Sequence, residues 1–131
     1  MATTQPIRNK KEIQALANYY YERGQFRNHV LVLLCVYTAL RISDLLRLRW
    51  DDVFDFTSGR VLSTITITEK KTKKSKIIAL NQTAIGALTL LSAGSAVKGR
   101  FIIENQQTGK AISRIQAYRL IRAASEARLS F

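Results

Sequence analysis

Three groups of side chains in this sequence have the types and spacing to act on an oxyanion. The first is Arg41 with Asp44. Arg41 closes a long apolar stretch and precedes Ser43, a residue suited to cap a following helix. An arginine rooted there has its stem in apolar surroundings and its planar fork free for an anion. Asp44, three residues on, can orient that fork. The same spacing also allows a plain Arg41–Asp44 ion pair at the edge of the core. The second group is the lysine run Lys70, Lys71, Lys73, Lys74 and Lys76. On spacing alone it reads as a solvated charge run or a set of generic phosphate contacts. The third is Ser113, Arg114, Arg119 and Arg122. Plotted at helical spacing, the three arginines and Tyr118 share one arc, with Ile115 the exception among them. Ala117, Leu120, Ile121, Ala123, Ala124 and Ala127 line the opposite arc. A helix with an apolar back and an arginine front suits docking on a duplex, and basic amphipathic helices also bind membranes or partner proteins.

Other chemistries find little support. His29 is the one histidine and Cys35 the one cysteine. A metal site would rest on carboxylates alone, and no Asp/Glu cluster has suitable spacing, so neither metal nor cofactor is expected. A lone cysteine forms no internal disulfide; Cys35, inside an apolar run, reads as a core thiol in a cytoplasmic protein. Tyr19, Tyr20 and Tyr21 invite a nucleophile reading but fall in the first helix, where packing explains them. Gly94 to Phe101 has the glycine spacing of a phosphate loop, yet lacks the Lys-Ser/Thr pair and precedes a strand instead of following one.

Charge narrows the partner. Against 21 Lys and Arg stand 9 Asp and Glu, a formal net charge of +12. Residues 1–59 hold 8 basic and 6 acidic side chains, whereas residues 60–131 hold 13 basic and 3 acidic. A field that strong favours a polyanion, most simply nucleic acid, since solubility alone needs far less charge. The longest apolar run, Val30 to Tyr37, is far short of the roughly 20 residues a membrane span requires. Residues 1–11 are polar and basic, without the apolar centre of a signal peptide.

The elements that must carry these residues follow from periodicity. Asn9 and Glu12 form a capping box that opens a helix to about Glu22, with Ile13, Leu16 and Tyr20 at helical spacing and Gly24 as its stop. Phe26 to about Leu40 is apolar round most of its circumference and should be the buried centre. A short helix runs from Ser43 to about Leu48, with Trp50 packing it against the sheet. A turn-rich segment fills Asp51 to Arg60. Val61 to Thr68 alternates with period two, placing Val61, Ile65 and Ile67 on one face and Thr64, Thr66 and Thr68 on the other. Lys76 to Leu80 is its antiparallel partner, leaving a lysine-rich hairpin tip between them. Asn81 caps a helix to about Ser92, Phe101 to Ile103 forms a short strand, and Ser113 caps a last helix to about Arg128. One α+β domain, mostly helical with a small antiparallel sheet of two to three strands, accounts for the pattern.

The words in these segments carry a resemblance. Leu40-Arg-Ile-Ser-Asp-Leu-Leu, continuing to Leu48, Trp50 and Asp52, resembles the first signature box of the tyrosine recombinase, or phage integrase, family: Thr-Gly-Leu-Arg-Ile-Ser-Glu-Leu-x-x-Leu-x-Trp-x-Asp. Ala39 stands for the usual glycine and Asp44 for the common glutamate. The segment Ile65 to Leu80 is similar to the family's β-hairpin, often Lys-Thr-Gly-x-x-Arg-x-(Ile/Val)-Pro-Leu, with Lys71-Thr72 in the place of Lys-Thr; with five lysines in the tip, the register is open within Lys70–Lys74. Gly109 to Ile121 is more weakly similar to the helix that enters the major groove, whose initial Ser-Arg contacts DNA.

The resemblance spans nearly all 131 residues. It implies a bacterial or phage-derived, nucleoid-associated enzyme of site-specific recombination that cuts and rejoins double-stranded DNA. A tyrosine attacks a phosphate to give a 3′-phosphotyrosyl link, without metal, and the full-length protein works as a tetramer on two DNA sites. It implies Arg41 as one of two phosphate-clamping arginines, Lys71 as the acid for the leaving 5′ oxygen, and Asp44 beside them. Lys70, Lys73, Lys74, Lys76, Ser113, Arg114, Arg119 and Arg122 become DNA contacts. The family's His-x-x-Arg box and nucleophilic tyrosine are absent, so residues 1–131 are expected to be a partial catalytic domain, inactive in cleavage alone. A non-catalytic module that occupies or regulates recombination sites is the alternative.

Overall fold

A computed structural model describes residues 10–127, except for the side chains of residues 10, 13 and 123–127. The Asn9 cap, the Ile13 side chain, the end of the last helix at Arg128, and the apolar contacts expected of Ala123, Ala124 and Ala127 lie outside what is described. The elements follow in the order α1 (Lys10–Glu22), α2 (Phe26–Tyr37), α3 (Ile42–Leu46), α4 (Trp50–Val53), β1 (Phe54–Asp55), β2 (Arg60–Val61), β3 (Thr64–Thr68), β4 (Ser75–Ala79), α5 (Gln82–Ser95) and α6 (Arg114–Ala127). They make a mostly helical α+β domain with two separate two-stranded antiparallel sheets, β1–β2 and β3–β4.

Helix α2 is the centre, as its all-round apolar sequence requires. Val30 to Leu34 are five consecutive buried residues, and α1, α5 and α6 pack around them. Leu16, Ala17 and Tyr20 face it from α1, where His29 Nδ1 also lies 2.8 Å from the Ala17 carbonyl oxygen. The histidine is thus a link between two helices. Burial pushes the Cys35 thiol up to about 11, consistent with an inert core cysteine.

Helix α2 ends three residues before the expected Leu40, and the reason is one backbone angle. Thr38 caps it, and Ala39 adopts φ +56°. This left-handed position just past the cap is where helices commonly take glycine, because a Cβ there is strained. The turn sends Leu40 back into the core and releases Arg41 to start α3. Ala39→Gly should therefore stabilise the fold by about 1 kcal/mol, after the larger entropy of glycine in the unfolded chain is counted. Thermal unfolding should show a rise of about 4 °C. An unchanged or lowered midpoint would mean that residue 39 is not held left-handed.

The segment expected to be a plain turn holds α4 and the β1–β2 ribbon instead. The short helix α4 forms because Asp52 accepts the Arg49 amide at 2.9 Å, a local cap that side-chain periodicity does not display. Trp50 is fully buried at its start, edge-on to Phe54, and α4 packs on β3. Phe101 makes only an isolated bridge to Arg49, not the expected strand. Conversely α5 runs on to Ser95, past the expected Ser92, because Gly94 costs a helix only about 1 kcal/mol and no stronger stop precedes it. The Asn81 cap holds as expected, accepting from the Ala84 amide at 2.8 Å.

In the β3–β4 hairpin Thr64 faces Ala79 and Thr68 faces Ser75. Ile65 and Ile67 point into the core, and Thr64, Thr66 and Thr68 point outward. The lysine tip therefore projects from a strand pair anchored by one buried face.

Candidate functional site

The turn after α2 presents Arg41 at the N-cap of α3, in extended backbone, where its carbonyl accepts the Asp44 and Leu45 amides at 3.0 and 2.9 Å. Arg41, not Ser43, caps this helix. Leu40 and Ile42 take the buried positions on either side, which leaves the Arg41 side chain exposed instead of sunk by its stem in apolar surroundings. Among the described residues it makes no hydrogen bond or ion pair.

Asp44 does not hold the Arg41 fork. Its carboxylate is 4% exposed and accepts from Arg47 Nη1 and from the Lys70 backbone amide, both at 3.2 Å. Arg41 lies outside the helix whereas Arg47 is a turn further on, so the helical neighbour of Asp44 is Arg47. The more consequential contact is the second. It ties the first turn of α3 to the hairpin tip, and so places Arg41 beside the lysines.

The tip itself is latched. Glu69 and Lys74 pair through the Glu69 amide and the Lys74 carbonyl at 2.9 Å, and the Lys73 amide returns to the Glu69 carbonyl. The Glu69 carboxylate accepts from Thr72 Oγ1 at 2.7 Å and meets Lys76 Nζ at 3.2 Å. The Thr72 and Lys76 hydrogen bonds hold the Glu69 carboxyl below its ordinary range, with smaller help from the charges of Lys76 and Arg41. That last influence is further evidence that Arg41 stands near the tip. Because the folded value is depressed, the latch contributes at neutral pH and is lost as pH falls through it. Lys73 adopts φ +59°, the position at which the resembled hairpin motif carries glycine.

These contacts sort the lysines. Lys70, Lys71, Lys73 and Lys74 are exposed, and no ion pair engages their ammonium groups among the described residues. Lys76 is exposed too, but its ammonium meets Glu69, so a phosphate there would compete with that ion pair.

Helix α6 lies against α1, α2 and α3, next to the element that carries Arg41. Ala117 and Ile121 are buried, and the Tyr20 hydroxyl donates to the Leu120 carbonyl at 2.8 Å. Arg114, Arg119 and Arg122 are exposed; Tyr118, expected on their arc, is half-buried against the core. Ser113 Oγ accepts the Gln116 amide at 3.1 Å, so it caps the helix at the position proposed to meet DNA. The glycine loop at residues 94–101 is ruled out again by geometry, since Asp51 takes the Gly99 amide at 2.6 Å.

Sequence reasoning missed the Asp44–Lys70 tie, which joins residues 26 positions apart. It also missed the Glu69 latch, for which the Glu69-x-x-Thr72 spacing was the available signal. No helix among the described residues is long and apolar enough to cross a membrane.

Residues 8–129 match the model of the phage integrase family. The chain is 32% identical over 127 residues to a probable integrase/recombinase, YoeC, of Bacillus subtilis (strain 168), covering 97% of this chain and 66% of that protein. The structure is similar to the crystal structure of XerA recombinase, with a TM-score of 0.72 at 18% identity over 99% of this chain and 46% of the other. The chain thus spans less than two thirds of the length of both.

Proposed function

The chain belongs to the phage integrase family of tyrosine recombinases, and from that membership we propose that residues 1–131 form the part of a catalytic domain that grips duplex DNA and contributes Arg41 and Lys71 to strand cleavage. Family membership supports site-specific recombination. The observation that carries the finer reading is the Asp44 hydrogen bond to the Lys70 amide, which brings the exposed Arg41 and the exposed lysine tip to one place.

Cleavage is a phosphoryl transfer. A tyrosine oxygen attacks phosphorus, the bond to the 5′ oxygen breaks, and that oxygen needs a proton. The Arg41 fork would meet two non-bridging oxygens, whose charge changes as the transition state forms, and the Lys71 ammonium would give its proton to the leaving oxygen. Asp44 acts through others: it positions the hairpin and is not a group that touches the phosphate. Left-handed backbone at Lys73 supports Lys71 as the acid, because it sets Lys71-Thr72-Lys73 on the Lys-Thr-Gly of the family hairpin. None of Tyr19, Tyr20, Tyr21, Tyr37 and Tyr118 is assigned as the nucleophile. Tyr20 is buried with its hydroxyl engaged, and burial raises its pKa. The sequence holds no His-x-x-Arg. The second arginine and the attacking tyrosine are not assigned among these residues, and the recombinase is assigned to a tetramer on two DNA sites.

DNA binding tests the reading directly. Lys70, Lys71, Lys73, Lys74, Arg114 and Arg119 are exposed cations facing outward from the hairpin and α6. If about six phosphates are neutralised, the log–log slope of affinity against salt should be about −5, or roughly a thousandfold loss between 50 and 200 mM salt. A fluorescence-anisotropy titration over that range measures it. A flat salt dependence would remove the nucleic-acid reading.

A further inference from the structure

Resting on the assignment of α6 to DNA, we infer that Ile115 reads the DNA sequence by packing on the C5-methyl group of a thymine in the major groove. Ile115 is the second residue of α6 and is 65% exposed. It lies about 40° round the helix from Arg119 and about 20° from Arg122, so it sits inside the cationic face and not at its border. Its backbone neighbour Arg114 is exposed as well.

The other exposed large hydrophobics have different settings. Tyr21 packs edge-on to Phe26 and tilted against His29, Ile77 lies on the hydroxyl-lined outer face of the hairpin opposite Thr66, and Leu90 and Val97 lie on α5 and just past its end. Ile115 alone among them is an apolar side chain within the arginine surface.

Arginines on such a face meet phosphates and base acceptors, but a sec-butyl group can meet neither. The base edges of the major groove carry a single apolar group, the thymine methyl. The first residues of a helix docked in that groove are the ones that approach base edges. From Ile115 to Arg122 the helix rises about 10 Å, or about three base steps, so the isoleucine and the arginines would engage one short stretch of sequence. Ile115 thus supplies specificity, while Arg114 and Arg119 supply affinity that is largely indifferent to sequence.

The test is selection of duplexes from a randomised library by the chain, followed by replacement of each thymine in the selected duplex by uracil, one at a time. Uracil lacks only the methyl group. At one thymine the replacement should weaken binding by the unaltered chain about fourfold, the effect of leaving one methyl-sized group unburied. Ile115→Ala should lose about fourfold on the thymine duplex and nothing further on the uracil duplex. Alanine at this exposed helical position does not threaten folding. If no thymine shows the effect, or if the variant shows it undiminished, the inference is overturned. Arg114→Ala and Arg119→Ala separate the two failures. Should they weaken binding in a salt-sensitive way while uracil has no effect, only the thymine contact falls. Should they leave binding unchanged, α6 is not on DNA and its assignment falls too.

Discussion

Replacing Arg41 by alanine in a cleavage-competent protein carrying this segment is expected to slow single-turnover DNA cleavage about a thousandfold while leaving DNA affinity nearly unchanged. In the role proposed for it, the exposed Arg41 guanidinium, which makes no hydrogen bond or ion pair among the described residues, stabilises charge that develops only in the transition state; loss of one such donor costs about 10²–10³ in rate. Affinity barely moves because Arg41 is one cation among several, and its removal should reduce the salt slope by only about one. Arg41→Lys should restore little, since an ammonium cannot reproduce two parallel N–H donors. Cleavage by the alanine variant at an undiminished rate would end the assignment. So would a loss fully explained by weaker binding.

Lys71→Ala should slow cleavage about a hundredfold, in the range typical of a lost general acid. A substrate with sulfur in place of the 5′-bridging oxygen should recover most of that loss, because the thiolate leaves without a proton. Such rescue distinguishes proton donation from charge neutralisation, which sulfur would not replace. The left-handed backbone at Lys73 and the exposed Lys71 side chain favour this lysine. The same measurement on Lys70→Ala and Lys73→Ala fixes the register. Rescue at one of those positions instead would move the acid there, and rescue at none would remove the general-acid role from the hairpin.

Much of the fold was legible because its elements are strongly periodic. The all-round apolar stretch at Phe26 gave the buried helix, and the alternation of Val61 to Thr68 gave the hairpin face over Thr64 to Thr68, although Val61 pairs with Phe54 in the β1–β2 ribbon instead. The end of α2 was misplaced because alanine does not advertise left-handed backbone; the usual glycine at that place was the only sign. Helix α4 was missed for a similar reason, since it depends on a single Asp52 contact to the Arg49 amide and not on a pattern of apolar residues. At the candidate site, residue types pointed to Arg41 and the lysine tip, and the structure places these near one another. Which side chain would hold which could not be read: Asp44 was matched to Arg41 by spacing, whereas it bonds Arg47 and the Lys70 backbone. Likewise the pairing of Lys76 with Glu69 could not be read from the lysine run. Short-range spacing cannot choose among several cations of like reach, nor show a contact between segments 26 residues apart.

The Asp44–Lys70 contact joins a side chain on one segment to a main-chain amide on the other. The two ends therefore differ in what substitution can do to them. At position 70 any residue but proline presents the same N–H, so lysines of the tip can be exchanged, and the charge and reach of the hairpin altered, without loosening its attachment. At position 44 the acceptor is the side chain itself, buried and of fixed length. Sequence change is thus channelled toward the hairpin and away from the helix, and the tip can vary in charge and reach while the frame that carries Arg41 stays in place.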